Sequence, residues 1–212
     1  MHKFISRCSG RALALALMGA SLTMAGPSFA ADAQKAAEME ISVPSGRYVL
    51  DEKHASLIAR ISHLGLSQFT FRMNRFDVDL ELNVEDPSQS TLEAAVDMTS
   101  IDTAMPDFDE KLQGDDWLKA ADHPTAQYRS TRITQTGPRT ATVHGELTLL
   151  GQTHPMDLNV VLTGAGKNFS GTPTVGFAAT GIFKRGDYGV SKYLPNIGNE
   201  ITVEINAELN KK

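Results

Sequence analysis

The chain is poor in cysteine, in aromatic residues and in clustered basic charge, and after its N-terminal leader it has no long hydrophobic run. Of 212 residues the one cysteine is Cys8, inside that leader and not placed as a lipobox cysteine. The rest of the chain therefore has no disulfide, no thiol nucleophile and no lipid attachment by that route. Aromatics are 7% of residues, too few for the two aromatic girdles of an outer-membrane barrel. The 25 acidic residues outnumber the 20 basic ones, giving a net charge of −5, and no Lys/Arg stripe is present. That argues against nucleic acid and against electrostatic docking on anionic lipid. A Gly-x-Ser-x-Gly elbow and a glycine-rich phosphate loop are also missing, and no His-x-His or Glu-x-x-His pair starts a metal site. Paired acids such as Asp77 with Asp79, or Asp115 with Asp116, read as solvated surface. No catalytic residue, metal or cofactor is expected.

The first thirty residues read as a cleavable signal peptide. Lys3, Arg7 and Arg11 form a basic start, Ala12 to Ala25 is apolar, and Ser28-Phe29-Ala30 offers small residues at the usual cleavage positions. The apolar run is short for a membrane anchor. Residues 31–45 then read as a polar leader, and residues 46–210 as one domain, long enough for a sizeable core. The expected compartment is the periplasm, with no stable membrane insertion.

What is present from Tyr48 to Leu209 is alternation with a period of two. Ile201, Val203, Ile205, Ala207 and Leu209 lie on one side of the last segment, and Thr202, Glu204, Asn206 and Glu208 on the other. Side chains of a strand point alternately to its two faces, so this is a strand with one dry and one wet face. The pattern returns about eight times. Such strands share their dry faces by closing a barrel or by stacking two sheets.

The predicted elements begin with a short strand from Arg47 to a turn at Asp51-Glu52-Lys53. A second strand, from His54 to Leu64, puts Leu57, Ala59, Ile61 and His63 on one face. Phe69, Phe71 and Met73 alternate, then Phe76, Val78, Leu80 and Leu82. The odd step from Met73 to Phe76 requires a bulge near Asn74-Arg75 if the apolar face is to stay inward, which bends the wall. One helix is predicted over Asp107 to Leu118, with Pro106 at its start and Gly114 obscuring its end. Strands follow around Ala126 to Ile133, Thr140 to Leu149, Met156 to Leu162 and Val175 to Phe183. A hairpin at Leu150-Gly151-Gln152-Thr153 joins the middle two. Gly164 to Asn168 is predicted as an exposed loop, and Lys184 to Asn199 as a loop or rim.

Seven strings, in order, resemble the YceI-like, polyisoprenoid-binding family. They are Tyr48-Val49-Leu50-Asp51, His54-Ala55-Ser56, His63-Leu64-Gly65-Leu66-Ser67, Ser100-Ile101-Asp102-Thr103, His123-Pro124-Thr125-Ala126, Gly145 to Gly151, and Lys184-Arg185-Gly186-Asp187-Tyr188-Gly189. The resemblance spans Tyr48 to Leu209. It implies an all-β fold, a lipocalin-like antiparallel β-barrel of about eight strands with one short helix. It also implies a periplasmic carrier of a long-chain amphiphilic lipid, an isoprenoid of polyprenyl or ubiquinone type, performing no catalysis. A homodimer is common among similar proteins, and no residue here decides it. The sequence departs from the family at Ala59, where a larger residue is usual, and at Arg72 to Arg75, which is more charged.

An interior of that kind draws its lining from Leu57, Ala59, Ile61, Phe69, Phe71, Met73, Phe76, Phe177 and Phe183, with Trp117 from the helical segment. Each of these also serves as plain core packing, and periodicity does not show that a barrel is hollow. His63 is expected as a polar contact inside the barrel. Arg185, close to Asp187 and Tyr188, is expected at the rim, facing a headgroup or forming a salt-bridged turn. Two rivals remain: a stress-related interaction or inhibitor protein with a solid barrel, and a lipid-modifying enzyme.

Overall fold

The alternation becomes ten strand segments and one helix in the computed structural model, which describes residues 43–212. The strands are β1 Gly46–His63, β2 Ser67–Met73, β3 Phe76–Leu82, β4 Thr91–Asp97, β5 Ile101–Asp102, β6 Thr125–Gly137, β7 Thr140–Leu149, β8 Gln152–Lys167, β9 Pro173–Lys184 and β10 Ile197–Lys211. The helix is α1, Pro106–Gln113. The signal peptide assigned to residues 1–30, and residues 31–42 of the polar leader, lie outside the described residues.

Hydrogen bonds run from β1 to β3, β4, β6, β7, β8, β9 and β10, and β10 returns to β1. Every pairing is antiparallel. The all-β, lipocalin-like barrel is therefore present, closed by eight strands, so the ring has no free edge. Its outer face carries the ion pairs Arg47–Asp79, Arg60–Glu204, Arg75–Asp97 and Arg129–Glu93, which do not suit a wall facing lipid. Among the described residues no helix is long and apolar enough to cross a membrane.

Four details differ from the sequence expectation. The turn at Asp51-Glu52-Lys53 is an irregularity inside one continuous strand: Leu50 pairs with Leu209 and Ala55 with Ala207, so extra residues of β1 bow out. The bulge near Asn74-Arg75 is a full break between β2 and β3. There the Asn74 N–H donates to the Ser100 carbonyl and the Arg75 N–H to Ser100 Oγ, both at 3.0 Å. Met73 and Phe76 still both face inward. Helix α1 is shorter than predicted and ends at Gly114, whose N–H bonds the Lys111 carbonyl. Gly164 to Lys167 is not a loop but the end of β8, where Gly164 pairs with Gly176. The hairpin at Leu150-Gly151 is present, with φ of 52° and 75°, a two-residue turn whose twist matches the flanking strands.

The break in the second wall position shapes one end of the barrel. The first part of β1, Gly46 to Val49, pairs with β3, while Leu57 to His63 pairs with β2. The other edge of β2 meets only the two residues of β5, against which helix α1 packs. The Phe108 ring stands edge-on to Phe69 at 5.7 Å. At the opposite end Val43, Tyr48, Leu80, Val175, Ala207 and Leu209 pack into a tight cluster. There the Tyr48 hydroxyl donates to the Pro44 carbonyl at 2.6 Å.

Candidate functional site

The inward faces of the strands enclose a cavity of about 760 Å³. That falls within the range of small-molecule sites, about 300–1,000 Å³. All twelve residues singled out from the sequence stand on its wall. Leu57, Ala59, Ile61 and His63 come from β1, Phe69, Phe71 and Met73 from β2, and Phe76 from β3. Phe177 and Phe183 come from β9, Trp117 from the turn after α1, and Arg185 from the turn after β9.

Small residues keep the space open. Ala59, Ala94, Ala126, Ala141 and Ala179 occupy inward positions that larger side chains would fill. Glycine at 145 serves the same wall from behind. A Cβ there would lie 2.4 Å from the Tyr128 ring and 2.6 Å from the Arg129 carbonyl, so the Tyr128 ring packs directly over the β7 backbone. The Tyr128 hydroxyl reaches the carbonyls of Val143 and Met156 at 3.0 and 3.2 Å. Burial raises its pKa well above the usual tyrosine value, which keeps it a neutral donor.

Polar groups are few, and they gather at one end. The lining residues that are also exposed are His63, Leu64, Lys111, Tyr193 and Asn196, all from the α1 end, so the cavity opens there. No Asp or Glu lines the wall. His63 lines the cavity at its exposed rim, not deep inside the barrel, because it is the last residue of β1.

Arg185 shapes the rim, though not through a salt-bridged turn with Asp187. It is 4% exposed, and its hydrogen-bond partners are all main-chain carbonyls. Its Nε donates to the Gly198 carbonyl at 2.8 Å, Nη1 to Val190 at 2.7 Å, and Nη2 to Lys192 and Ile197 at 3.0 and 2.9 Å. Burial lowers its pKa, but a guanidinium remains charged. One buried fork of donors therefore ties down the whole connection from β9 to β10. The Gly186 N–H adds a bond to Asn199 Oδ1 at 2.8 Å.

Two buried polar atoms among the described residues lack a hydrogen-bond partner, Trp117 Nε1 and the Tyr188 hydroxyl. The Trp117 ring lies 5.9 Å from Tyr193 across the opening. A separate group on the outer face brings Asp51, His54 and Glu208 together at the bowed part of β1. Its members are tied up locally, with His54 Nδ1 3.0 Å from Asp51 Oδ2 and Asn210 Nδ2 3.2 Å from the same oxygen.

Sequence reasoning reads Lys184 to Asn199 as a loop or rim but singles out only Arg185 within it. Leu64, Tyr193 and Asn196 lie in turns, where alternation gives no signal. Val143, Leu147 and Leu149 of β7, and Met156 and Leu158 of β8, were legible as inward by the same period-two rule.

A family model described as a YceI-like domain matches residues 48–209. The chain belongs to the YceI-like family. A UPF0312 protein of Vibrio cholerae is 33% identical to this YceI-like chain over 156 residues, 71% of the chain and 82% of the relative. The crystal structure of Burkholderia cenocepacia BcnA superposes with a TM-score of 0.67 at 18% identity, covering 75% of this chain and 98% of that one. A polyisoprenoid-binding domain from Saccharophagus degradans superposes with a TM-score of 0.60 at 15% identity, covering 80% and 100%. These two likenesses establish the YceI-like barrel as a shared fold.

Proposed function

We propose that this protein is a periplasmic carrier that holds a long-chain isoprenoid lipid, of polyprenyl or quinone type, inside the barrel and performs no chemistry on it. The observation that carries this reading is the cavity itself, large, apolar over most of its wall and open at one end. Water finds few partners in such a space, whereas a hydrocarbon chain gains roughly 0.8 kcal/mol per buried CH₂. Three isoprene units correspond to on the order of 10 kcal/mol gross, before ordering costs. Support also comes from the Saccharophagus degradans domain, which is described as polyisoprenoid-binding and has the same fold. The polar groups at the opening suit a headgroup left at the rim with the tail running inward. The solid-barrel alternative has no packing to fill this volume. A lipid-modifying enzyme would need reactive groups facing one another on the wall, and the Arg185 guanidinium is engaged with main-chain carbonyls of the rim.

Trp117 is the one tryptophan of the chain and stands on the cavity wall, which makes its emission a specific reporter. Titration with a short-tailed isoprenoid quinone is expected to quench that emission with saturation near one equivalent, and Phe71→Asp to abolish the response while the barrel stays folded. A linear, unsaturable response, identical in Phe71→Asp, would reject the carrier.

A further inference from the structure

Among the described residues, Leu64, Leu66, Tyr193 and Leu194 are large hydrophobics left 52, 84, 55 and 37% exposed. They are not scattered. Leu64 and Leu66 form the turn between β1 and β2; Tyr193 and Leu194 lie in the connection before β10. The two loops are joined by a bond from the Leu64 N–H to the Asn196 carbonyl at 2.7 Å. The second loop is held by the Arg185 fork and by the Ile197 N–H, which donates to the Tyr193 carbonyl at 2.9 Å. Leu64 and Tyr193 also line the cavity, so this lip is continuous with the interior wall. Single exposed apolar side chains need no explanation, but a rigid group of four around the opening of an apolar cavity does.

We propose that the lip docks on the surface of a neutral, zwitterionic bilayer, its four apolar side chains entering the interface so that the cavity opens directly onto the acyl region. The purpose rests on the carrier reading, but the geometry does not. Local charge favours this occupant over an anionic membrane. Lys192 is paired with Asp116, helix α1 begins with Asp107 and Asp109, Lys111 lies over the Phe108 ring, and among the described residues no basic cluster flanks the lip. Tyr193 has the amphipathic ring suited to an interface, and leucines supply the buried area. A second copy of the chain is a poorer fit, because two short loops around a hole fall far short of the roughly 1,600 Å² of an ordinary protein interface. Contact of this kind is reversible, and it spares a lipid tail a passage through water.

The test uses phosphatidylcholine vesicles whose acyl chains are brominated near the headgroup, with Trp117 emission as the readout. Trp117 stands beside Tyr193, so its quenching reports this end of the barrel. The parent protein is expected to be quenched as vesicles are added. Leu66→Asp and Leu194→Asp, which lie outside the cavity wall, are each expected to weaken the apparent vesicle affinity about tenfold or more. Equal quenching of parent and variants, or no quenching of the parent, overturns the proposal. So does a concentration-dependent dimer that is lost in Leu66→Asp while vesicles have no effect. Uptake of quinone from detergent separates the two readings. Docking without uptake removes the carrier and leaves the docking, whereas uptake without docking does the reverse.

Discussion

Gly145 lies directly beneath the ring of Tyr128: a side-chain carbon at 145 would stand 2.4 Å from both Cζ and the hydroxyl oxygen of that tyrosine. The hydroxyl is thereby held over the β7 and β8 carbonyls, and the ring becomes cavity wall. Gly145→Ala forces the ring or the strand to move. It is expected to destabilise the barrel by about 1–3 kcal/mol, as overpacking does. Tyr128→Phe removes only the hydroxyl and should cost about 0.5–1.5 kcal/mol. Urea unfolding of both variants checks the order. A Gly145→Ala protein as stable as the parent would mean that the ring is not fixed there.

Arg185 makes four bonds to main-chain carbonyls from one buried guanidinium. Lysine keeps the charge but has no planar fork, so Arg185→Lys is expected to fail as a substitute. The loss should amount to about 3 kcal/mol or more of stability, since hydrogen bonds to charged groups contribute roughly 1.5–3 kcal/mol each and are only partly replaced. Limited proteolysis should then cut within residues 190–196 sooner than in the parent. Unchanged cleavage would show that the fork does not hold the rim.

The sequence carried most of this barrel because its dry faces follow a local period. The bounds read for residues 140–149 match β7, and five of the six phenylalanines on the wall follow from the alternation, Phe108 of helix α1 being the exception. What escaped depends on partners distant in the chain. Whether Asp51 to Lys53 is a turn or a bowed piece of one strand is decided by Leu209 and Ala207, which keep pairing on both sides of it. The break at Asn74-Arg75 is completed by Ser100, whose main-chain and side-chain oxygens take the two freed N–H groups. His63 continues the apolar register correctly, but alternation cannot tell where a wall ends. Lys184 to Asn199 reads as a loop or rim, but which of its side chains line the opening is not local information, since Tyr193 and Leu64 owe their position to the Arg185 fork and to one bond between loops.

Ala59 lies in the second half of β1, opposite Phe71 and Val203, and its small side chain lines the cavity. Ala59→Trp is expected to cut quinone uptake at least tenfold while the unfolding midpoint stays close to that of the parent, because the new ring has cavity to occupy. If uptake survives, the ligand does not pass this level of the barrel. A large loss of stability would instead show that the space beside Ala59 is already packed.

The exposed His54–Asp51 pair sets a pH window. The hydrogen bond to Asp51 raises the His54 imidazole pKa, and the bond from His54 lowers that of Asp51. The raised imidazole contributes stability below its unfolded value, near about 6.5, and loses it as pH rises through the raised folded value. The lowered carboxylate contributes above about 3.9 and loses it as pH falls through its own folded value. The stability difference between parent and His54→Gln should therefore be largest at about pH 5 and vanish at about pH 9. A difference that grows with pH would contradict this pairing.

The central claim is that the 760 Å³ interior holds a lipid chain. Mass spectrometry on the natively purified protein, intact and after organic extraction, tests it most directly. The expected result is a complex heavier than the polypeptide by one long-chain isoprenoid, recovered in near-stoichiometric amount in the extract. Repeated extracts without lipid, together with no uptake when polyprenyl or quinone lipids are mixed with the protein, would contradict it.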